Sequence, residues 1–278
     1  MAALNGIGAD APSRPVGRAP TASALSGPEG ESEVATDSPP IPGHSTAAVS
    51  GALFDTDHCL NCGARLAGPF CADCGQKKAS RIGVRTVRSE AWSRFRWFEW
   101  DTIRSAFGVV LRPGTVARQY VLGMRKDHPH PLTLLLLAIG ALVLVLGQTE
   151  YLAPAFPSEA AQRMYALIRE YSNWSFSLGI VAVFLSAVIV FYGRLGYNLT
   201  EILTLSIYCH ALFIGMQILN QSPLLLWPTP ELMRWHQRYS PYYMNALQAA
   251  ALLIAFKQFF LVDLRREGWK LLLAGILF

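Results

Sequence analysis

The most specific chemistry in this chain lies in four cysteines. They stand in the run CLNCGARLAGPFCADCGQ, Cys59 to Gln76, with the spacing C-x2-C-x8-C-x2-C. Two cysteines in one tight turn aim both sulfurs at a single point. The glycine after each pair, Gly63 and Gly75, lets the backbone fold back so that amide N–H groups can face the thiolates. Two such knuckles complete a tetrahedron. Cys59, Cys62, Cys71 and Cys74 are therefore read as ligands of one structural zinc per chain. Iron in a rubredoxin-like centre is the rival, because the same thiolates can hold it. Four thiolates close the shell and leave no position for a reactive water, so the centre is read as folding a short ribbon that has no core of its own.

The elements that must carry this ribbon are of a different kind. The chain has 278 residues, 52% of them hydrophobic and 15% charged, against about a quarter charged in average soluble domains. Residues 1–55 are rich in Ala, Pro, Ser and Gly and nearly lack aromatics. Such a segment buries too little apolar surface to offset its ordering entropy, and it is read as a disordered tail, with no signal-peptide pattern. The ribbon follows at 56–80. From residue 131 long apolar runs dominate. Leu132–Leu152, Phe176–Tyr192, Leu199–Leu219 and Tyr242–Val262 approach the ~20 residues that cross a bilayer, and Trp269–Phe278 begins another run that is too short. The expected fold class is mostly α: a multipass α-helical membrane bundle of about four spans, bearing a small ribbon.

Basic residues set the expected orientation. Twelve Lys and Arg between Lys77 and Lys126 precede the first span, Arg194 sits between spans two and three, and Arg265, Arg266 and Lys270 follow span four. The other two loops carry Glu150, Glu159, Glu170 and Glu231. The excess of cations on one side predicts an inner (plasma) membrane protein with the N-terminus, ribbon and C-terminus in the cytoplasm. There disulfides are disfavoured and thiolate–metal binding is expected. The net charge of +5 is accounted for by this topology and calls for no nucleic acid.

Between ribbon and membrane, residues 81–130 interleave Trp92, Phe95, Trp97, Phe98 and Trp100 with Arg88, Arg94 and Arg96. Aromatics alternating with arginines suit the headgroup layer, so two or three short interfacial helices are expected, with a small packed helical subdomain as the other possibility. The run RPGTV reads as a helix stop and restart with Pro113 in the first turn.

These motifs in order resemble a family of bacterial membrane proteins, domain of unknown function 3667. The resemblance is carried by the knuckles ending in CGQ, by the DTI…LRPG…QY…GMRK…HP run and by GYNLTEILTLSIYCHALF. It implies a zinc-ribbon-like head before several membrane helices, and it implies no activity. Thr102, Pro113, Gly114, Tyr120, Gly123, Arg125, Lys126 and Pro131 match the linker motif, and Glu201 and His210 match polar positions of the later helix. His128 and Ile202 depart from it, standing where Tyr and His are common.

One further constellation has the spacing for chemistry. Ser206, His210, Gln217 and Asn220 recur at helical intervals on one face of span three, together with Phe213. They read as interhelical hydrogen bonding or as a polar pathway. Glu201 and Lys257 lie at similar depth near the cytoplasmic ends of spans three and four and could pair. Cys209 reads as a small hydrophobe. No phosphate loop, H-E-x-x-H or G-x-S-x-G is present, so the reading leans away from an enzyme. The leading expectation is a binding or scaffold protein presenting its ribbon to a cytoplasmic or membrane protein partner, in contact with lipid. The alternative is a transporter of a small molecule or lipid using the polar face of span three.

Overall fold

The computed structural model describes residues 48–83, 108–149, 163 and 178–278. The tail up to residue 47 and the aromatic–arginine run within 84–107 lie outside the described residues, as do residues 150–162 and 164–177. The described elements are almost all helical. They are α1 (Pro113–Val121), α2 (Pro131–Thr149), α3 (Leu178–Phe191), α4 (Leu199–Leu226), α5 (Pro230–Phe259) and α6 (Leu264–Leu277). The ribbon contributes isolated antiparallel bridges only, and there is no strand among the described residues.

Two helices are long and apolar enough to cross a membrane, α2 over Pro131–Gln148 and α4 over Leu199–Leu226. They differ in surroundings. Only 17% of the α2 window is buried, whereas 67% of α4 is. Leu136, Leu137, Val143 and Leu144 of α2 stand exposed, while Ile202, Leu205 and Tyr208 of α4 have no accessible surface. α4 is thus the central helix, packed by α2, α1 and α5. The second expected span appears as α3, apolar but shorter. The fourth corresponds to α5, a 30-residue helix that begins at Pro230, well ahead of the expected Tyr242, and runs through Pro241. The C-terminal run forms α6, 14 residues long, whose C-cap Phe278 meets Phe213 of α4 at 5.6 Å between rings.

Local signals explain the helix starts. Asn198 caps α4 by accepting from the Glu201 amide, and the Glu201 carboxylate accepts from the Asn198 amide, a reciprocal pair that satisfies two otherwise orphaned donors. Pro113 opens α1, where its missing N–H costs nothing. The next two amides, Gly114 and Thr115, donate to the Gln258 side chain of α5 at 3.0 and 3.3 Å. Within α4, Pro223 leaves the Leu219 carbonyl without its helical donor, and the Ser222 hydroxyl supplies one at 2.7 Å.

The placement of α1 differs from a surface helix. Pro113, Gly114, Val116, Ala117, Tyr120 and Val121 are buried against α4 and α5, so this part of the linker belongs to the packed bundle. Its one buried cation, Arg118, is satisfied there. It donates to the Tyr197 hydroxyl and to the Phe259 carbonyl, which Tyr197 also contacts as donor at 3.2 Å. Residues 48–54 are also folded. The amide of Val49 donates to the Leu195 carbonyl at 2.7 Å, and Phe54 is buried at the end of a short 3-10 turn.

The α1–α5 crossing depends on the absence of a side chain at position 114. A Cβ there would stand 2.0 Å from the Ala255 carbonyl oxygen, a backbone atom that cannot swing aside. Gly114→Ala is expected to destabilise the fold by roughly 3 kcal/mol, the upper end of overpacking costs. The thermal midpoint of the purified variant in detergent checks this, and an unchanged midpoint would contradict the crossing.

Candidate metal centre

Each half of the ribbon is built by the same bonds. Cys59 and Cys71 begin the knuckles, and their carbonyls accept from Gly63 and Gly75 at 2.8 and 3.0 Å. Their amides in turn donate to Ala64 and Gln76 at 2.7 and 2.8 Å. Both glycines have positive φ, 79° and 73°, the left-handed conformation that closes such a turn. The second knuckle repeats the first bond for bond, even to the bridges His58–Arg65 and Phe70–Lys77.

The four sulfurs converge. All lie within 4.8 Å of one another, and the Cys59–Cys74 and Cys62–Cys71 pairs stand 3.6 Å apart. Zinc–sulfur bonds of about 2.3 Å place tetrahedral sulfurs about 3.8 Å apart, so the cage has the size zinc requires. Backbone dipoles are already aimed inward. The Cys74 amide, with that of Asp73 behind it, holds the Cys71 thiol down at about 7, while burial pushes the Cys74 thiol up to about 12. A cation among the sulfurs outweighs the latter effect and draws off the protons. The residues fit a closed four-thiolate metal site.

The ribbon is not a free head. Its first knuckle faces the bundle, with Leu60 and Asn61 buried, while the tip from Ala67 to Phe70 is exposed. Gln76, directly after the last knuckle, is buried and reaches the α1–α2 connection. Its amide nitrogen donates to the Gly123 carbonyl at 2.8 Å, and its oxygen accepts from the amides of Arg125 and Lys126 at 2.9 and 2.8 Å. Gly123 has φ of 104°, and a Cβ there would meet Leu60 at 2.7 Å. The CGQ and GMRK motifs are therefore two sides of one joint. Arg125, also buried, donates to the Ser80 carbonyl and lies over the Tyr120 ring at 5.9 Å. Asn61 donates to Asp127 at 3.2 Å.

A second joint lies beyond the ribbon. Arg81 donates through Nε and Nη2 to the Glu201 carboxylate at 2.9 and 3.2 Å, and to the Gly196 carbonyl at 2.6 Å. Asn198 donates to the Ile82 carbonyl at 3.1 Å. The Glu201 side chain has no accessible surface, whereas that of Arg81 keeps 34%. Glu201 thus pairs with Arg81 and not with the expected Lys257, which stands exposed near the end of α5. The physical reason is reach: the capping role fixes Glu201 at the first turn of α4, beneath the strand-like exit of the ribbon. Arg194 performs similar work at the end of α5, donating to the Phe260 and Leu261 carbonyls and pairing with Glu267 at 2.7 Å. Glu267 is also held by Lys270, and both cations keep its carboxyl below the usual range.

The expected polar stripe on α4 does not act as one unit. Ser206 bonds back to the Ile202 carbonyl at 3.0 Å. His210 is buried, with neither ring nitrogen hydrogen-bonded, against Gly179 of α3, where a Cβ would stand 2.6 Å from the ring. Gln217 is half-buried. Asn220 belongs to a separate cluster with α5: it donates to Ser240 at 2.7 Å, accepts from the Tyr243 hydroxyl, and its carbonyl lies 2.8 Å from His236 Nε2. Beside it Gln221 is fully buried with neither end of its amide bonded.

Sequence reasoning missed Gln76, Arg81 and Asn198, the residues that seat the ribbon. One signal was available: Asn198-Leu-Thr-Glu201 is an N-cap with an acid three residues on. Nothing local marks Gln76 or Arg81, whose partners lie far away in the chain.

Residues 101–143 match the family described as "Protein of unknown function (DUF3667)", the family that the motifs resemble. The matched segment contains Pro113, Gly114, Tyr120, Gly123, Arg125, Lys126 and Pro131. Its shared residues are therefore the helix crossing and one side of the ribbon joint. The chain matched no curated protein and no solved structure.

Two outcomes follow from the site. Elemental analysis of purified chain should give about one zinc per chain, and Cys71→Ser should lose it; an iron centre with its red colour would overturn the zinc assignment. Arg81→Ala should destabilise the protein by roughly 3 kcal/mol, the cost of leaving a buried carboxylate unpaired. Adding Glu201→Gln should recover much of that loss in thermal melts, and no recovery would mean that Arg81 acts through packing alone.

Proposed function

We propose that the chain is a multipass membrane protein, with α3 and α5 crossing beside α2 and α4, that holds a zinc ribbon at its cytoplasmic end as a platform for a protein partner. The observation that carries this reading is the ribbon's position. It is fixed on the polar, basic end of a bundle that exposes many apolar side chains along its helices. Leu144 of α2, Ile189 of α3, Leu247 and Ile254 of α5 and Ile276 of α6 all stand exposed. Apolar exposure on this scale suits lipid and is costly in water. Arg194, Lys257, Arg265 and Arg266 gather at the ribbon end, on the side expected to be cytoplasmic. Exposed Trp227, Trp235, Tyr239 and Tyr242 around the α4–α5 turn suit the opposite interface.

The platform face is the outward knuckle and its tip, where Phe70 is 60% exposed beside the exposed Arg65 and Lys77. The occupant proposed for this face is an acidic protein surface, whose carboxylates would pair with Arg65 and Lys77 while Phe70 packs against it. Affinity capture from membranes with the intact protein and with Phe70→Asp tests the platform. The variant should keep its zinc and lose the captured partner, and equal capture by both would sink the docking role of the tip.

A second reading, transport of a small molecule or lipid along α4, is favoured by one observation: His210 is buried with both ring nitrogens unbonded. His210→Gln removes no hydrogen bond and should leave stability within about 1 kcal/mol. Membrane abundance and thermal midpoint check that expectation. A well-folded variant that reproduces the phenotype of deleting the whole protein would promote transport over the platform.

A further inference from the structure

We propose that the four-cysteine centre works as a metal-responsive latch, in which metal occupancy decides whether Gln76 and Arg81 hold the α1–α2 connection and the first turn of α4. This inference rests on the metal assignment but goes beyond the platform role.

The two joints are placed for such control. Gln76 follows Cys74 by two residues, and its own backbone carbonyl accepts from the Cys71 amide, so the knuckle that holds two sulfurs also holds Gln76 in register. All three of the Gln76 side-chain bonds go to the backbone of Gly123, Arg125 and Lys126, at the entry to α2. Arg81, five residues further on, supplies two bonds to Glu201. Ala79 between them and Ile82 just beyond are buried in the same core as Tyr120, Leu122 and Ile202.

The ribbon has little besides metal to fold it. Its segment offers Leu60 and Ala79 to the bundle core, and its turns close on positive-φ glycines that favour folding only when the sulfurs are held together. Without a cation, nothing bonds the four sulfurs to their common point. Once the knuckle relaxes, Gln76 loses its register, the amides of Arg125 and Lys126 lose their acceptor, and Glu201 is left buried with only the Asn198 amide opposite it. That residue then has a reason to move: a buried carboxylate without its cation is strongly unfavourable. The consequence is a change at the ribbon end of α2 and α4, while the far end of α4, tied to α5 through Asn220, Ser240 and Tyr243, stays in place. Zinc occupancy would thereby set the state of the membrane-facing helices.

Hydrogen exchange on the full chain in detergent tests this, with zinc present, after removal by a chelator, and after zinc is added back. Zinc content is measured in parallel by elemental analysis. The expected result is that the amides of Arg125 and Lys126 and those of Asn198–Glu201 exchange roughly tenfold faster or more without zinc, the rate equivalent of a lost buried hydrogen bond. Protection returns with zinc, while Ile207–Ile214 in the middle of α4 stay protected throughout. Gln76→Ala should keep its zinc yet exchange rapidly at Arg125 and Lys126, which ties the readout to the joint and not to the ion. Unchanged exchange after zinc removal would overturn the latch while leaving the metal site standing. Loss of protection along all of α4 would make the ribbon a purely structural part and also overturn it. Finding no metal in the purified chain would remove both the site and the latch.

Discussion

Glu201 is the group around which the ribbon end is arranged. A carboxylate with no accessible surface at the mouth of a membrane-like bundle is costly unless its oxygens are fully engaged. Here it accepts from the Asn198 amide and twice from Arg81. The first bond starts α4, the helix on which α1, α2 and α5 pack. The others draw in the chain that leaves the ribbon. One side chain therefore links helix initiation, the α3–α4 turn and the position of the metal centre. Gly196, whose carbonyl accepts from Arg81, and Leu195, whose carbonyl accepts from Val49, extend the same contact to the segment that precedes the ribbon.

The ribbon and the bundle also depend on close backbone approach. Gly114 lets α1 reach the α5 backbone, and Gly123 lets the α1–α2 connection pass under Leu60 with a φ that a side chain would strain. Helices without a hydrophobic driving force between them associate best where small residues permit contact and polar side chains supply specific bonds. Gln258, Tyr197, Arg118 and Arg194 supply such bonds at the ribbon end, and nearly all of them cap exposed helix termini. At the other end the Asn220 cluster does the same for α4 and α5. Between these ends the central part of α4 carries His210 with neither ring nitrogen bonded, which sets it apart chemically from the capped termini.

The family match falls on the segment from the end of the aromatic linker into α2. The structure gives that segment a mechanical meaning. Pro113 and Pro131 begin helices, Gly114 is a crossing point, and Gly123 with Arg125 and Lys126 after it receives Gln76. What those residues have in common is the attachment of the head to the bundle, more than any reaction.

Much was legible in the sequence because the signals are local. The four cysteines with their glycines determine two turns whose sulfurs must converge, whatever surrounds them. Pro113 and Pro131 begin helices because of their own ring geometry, and long, predominantly apolar runs make α2 and α4 long enough to cross a bilayer. The failures have a shared physical cause. A helix that continues through Met233–Tyr243 carries polar residues that hydropathy counts against it, although tertiary contacts such as Asn220 with Ser240 satisfy them; the start of α5 at Pro230 was hidden for that reason. The seat of the ribbon was hidden because Gln76 and Arg81 are polar residues whose partners lie 47 and 120 positions away. The partner of Glu201 was a choice between two cations that composition treats alike. Only the packing of α1 against α4 and α5, which brings residue 81 over the first turn of α4 and leaves Lys257 facing outward, decided it.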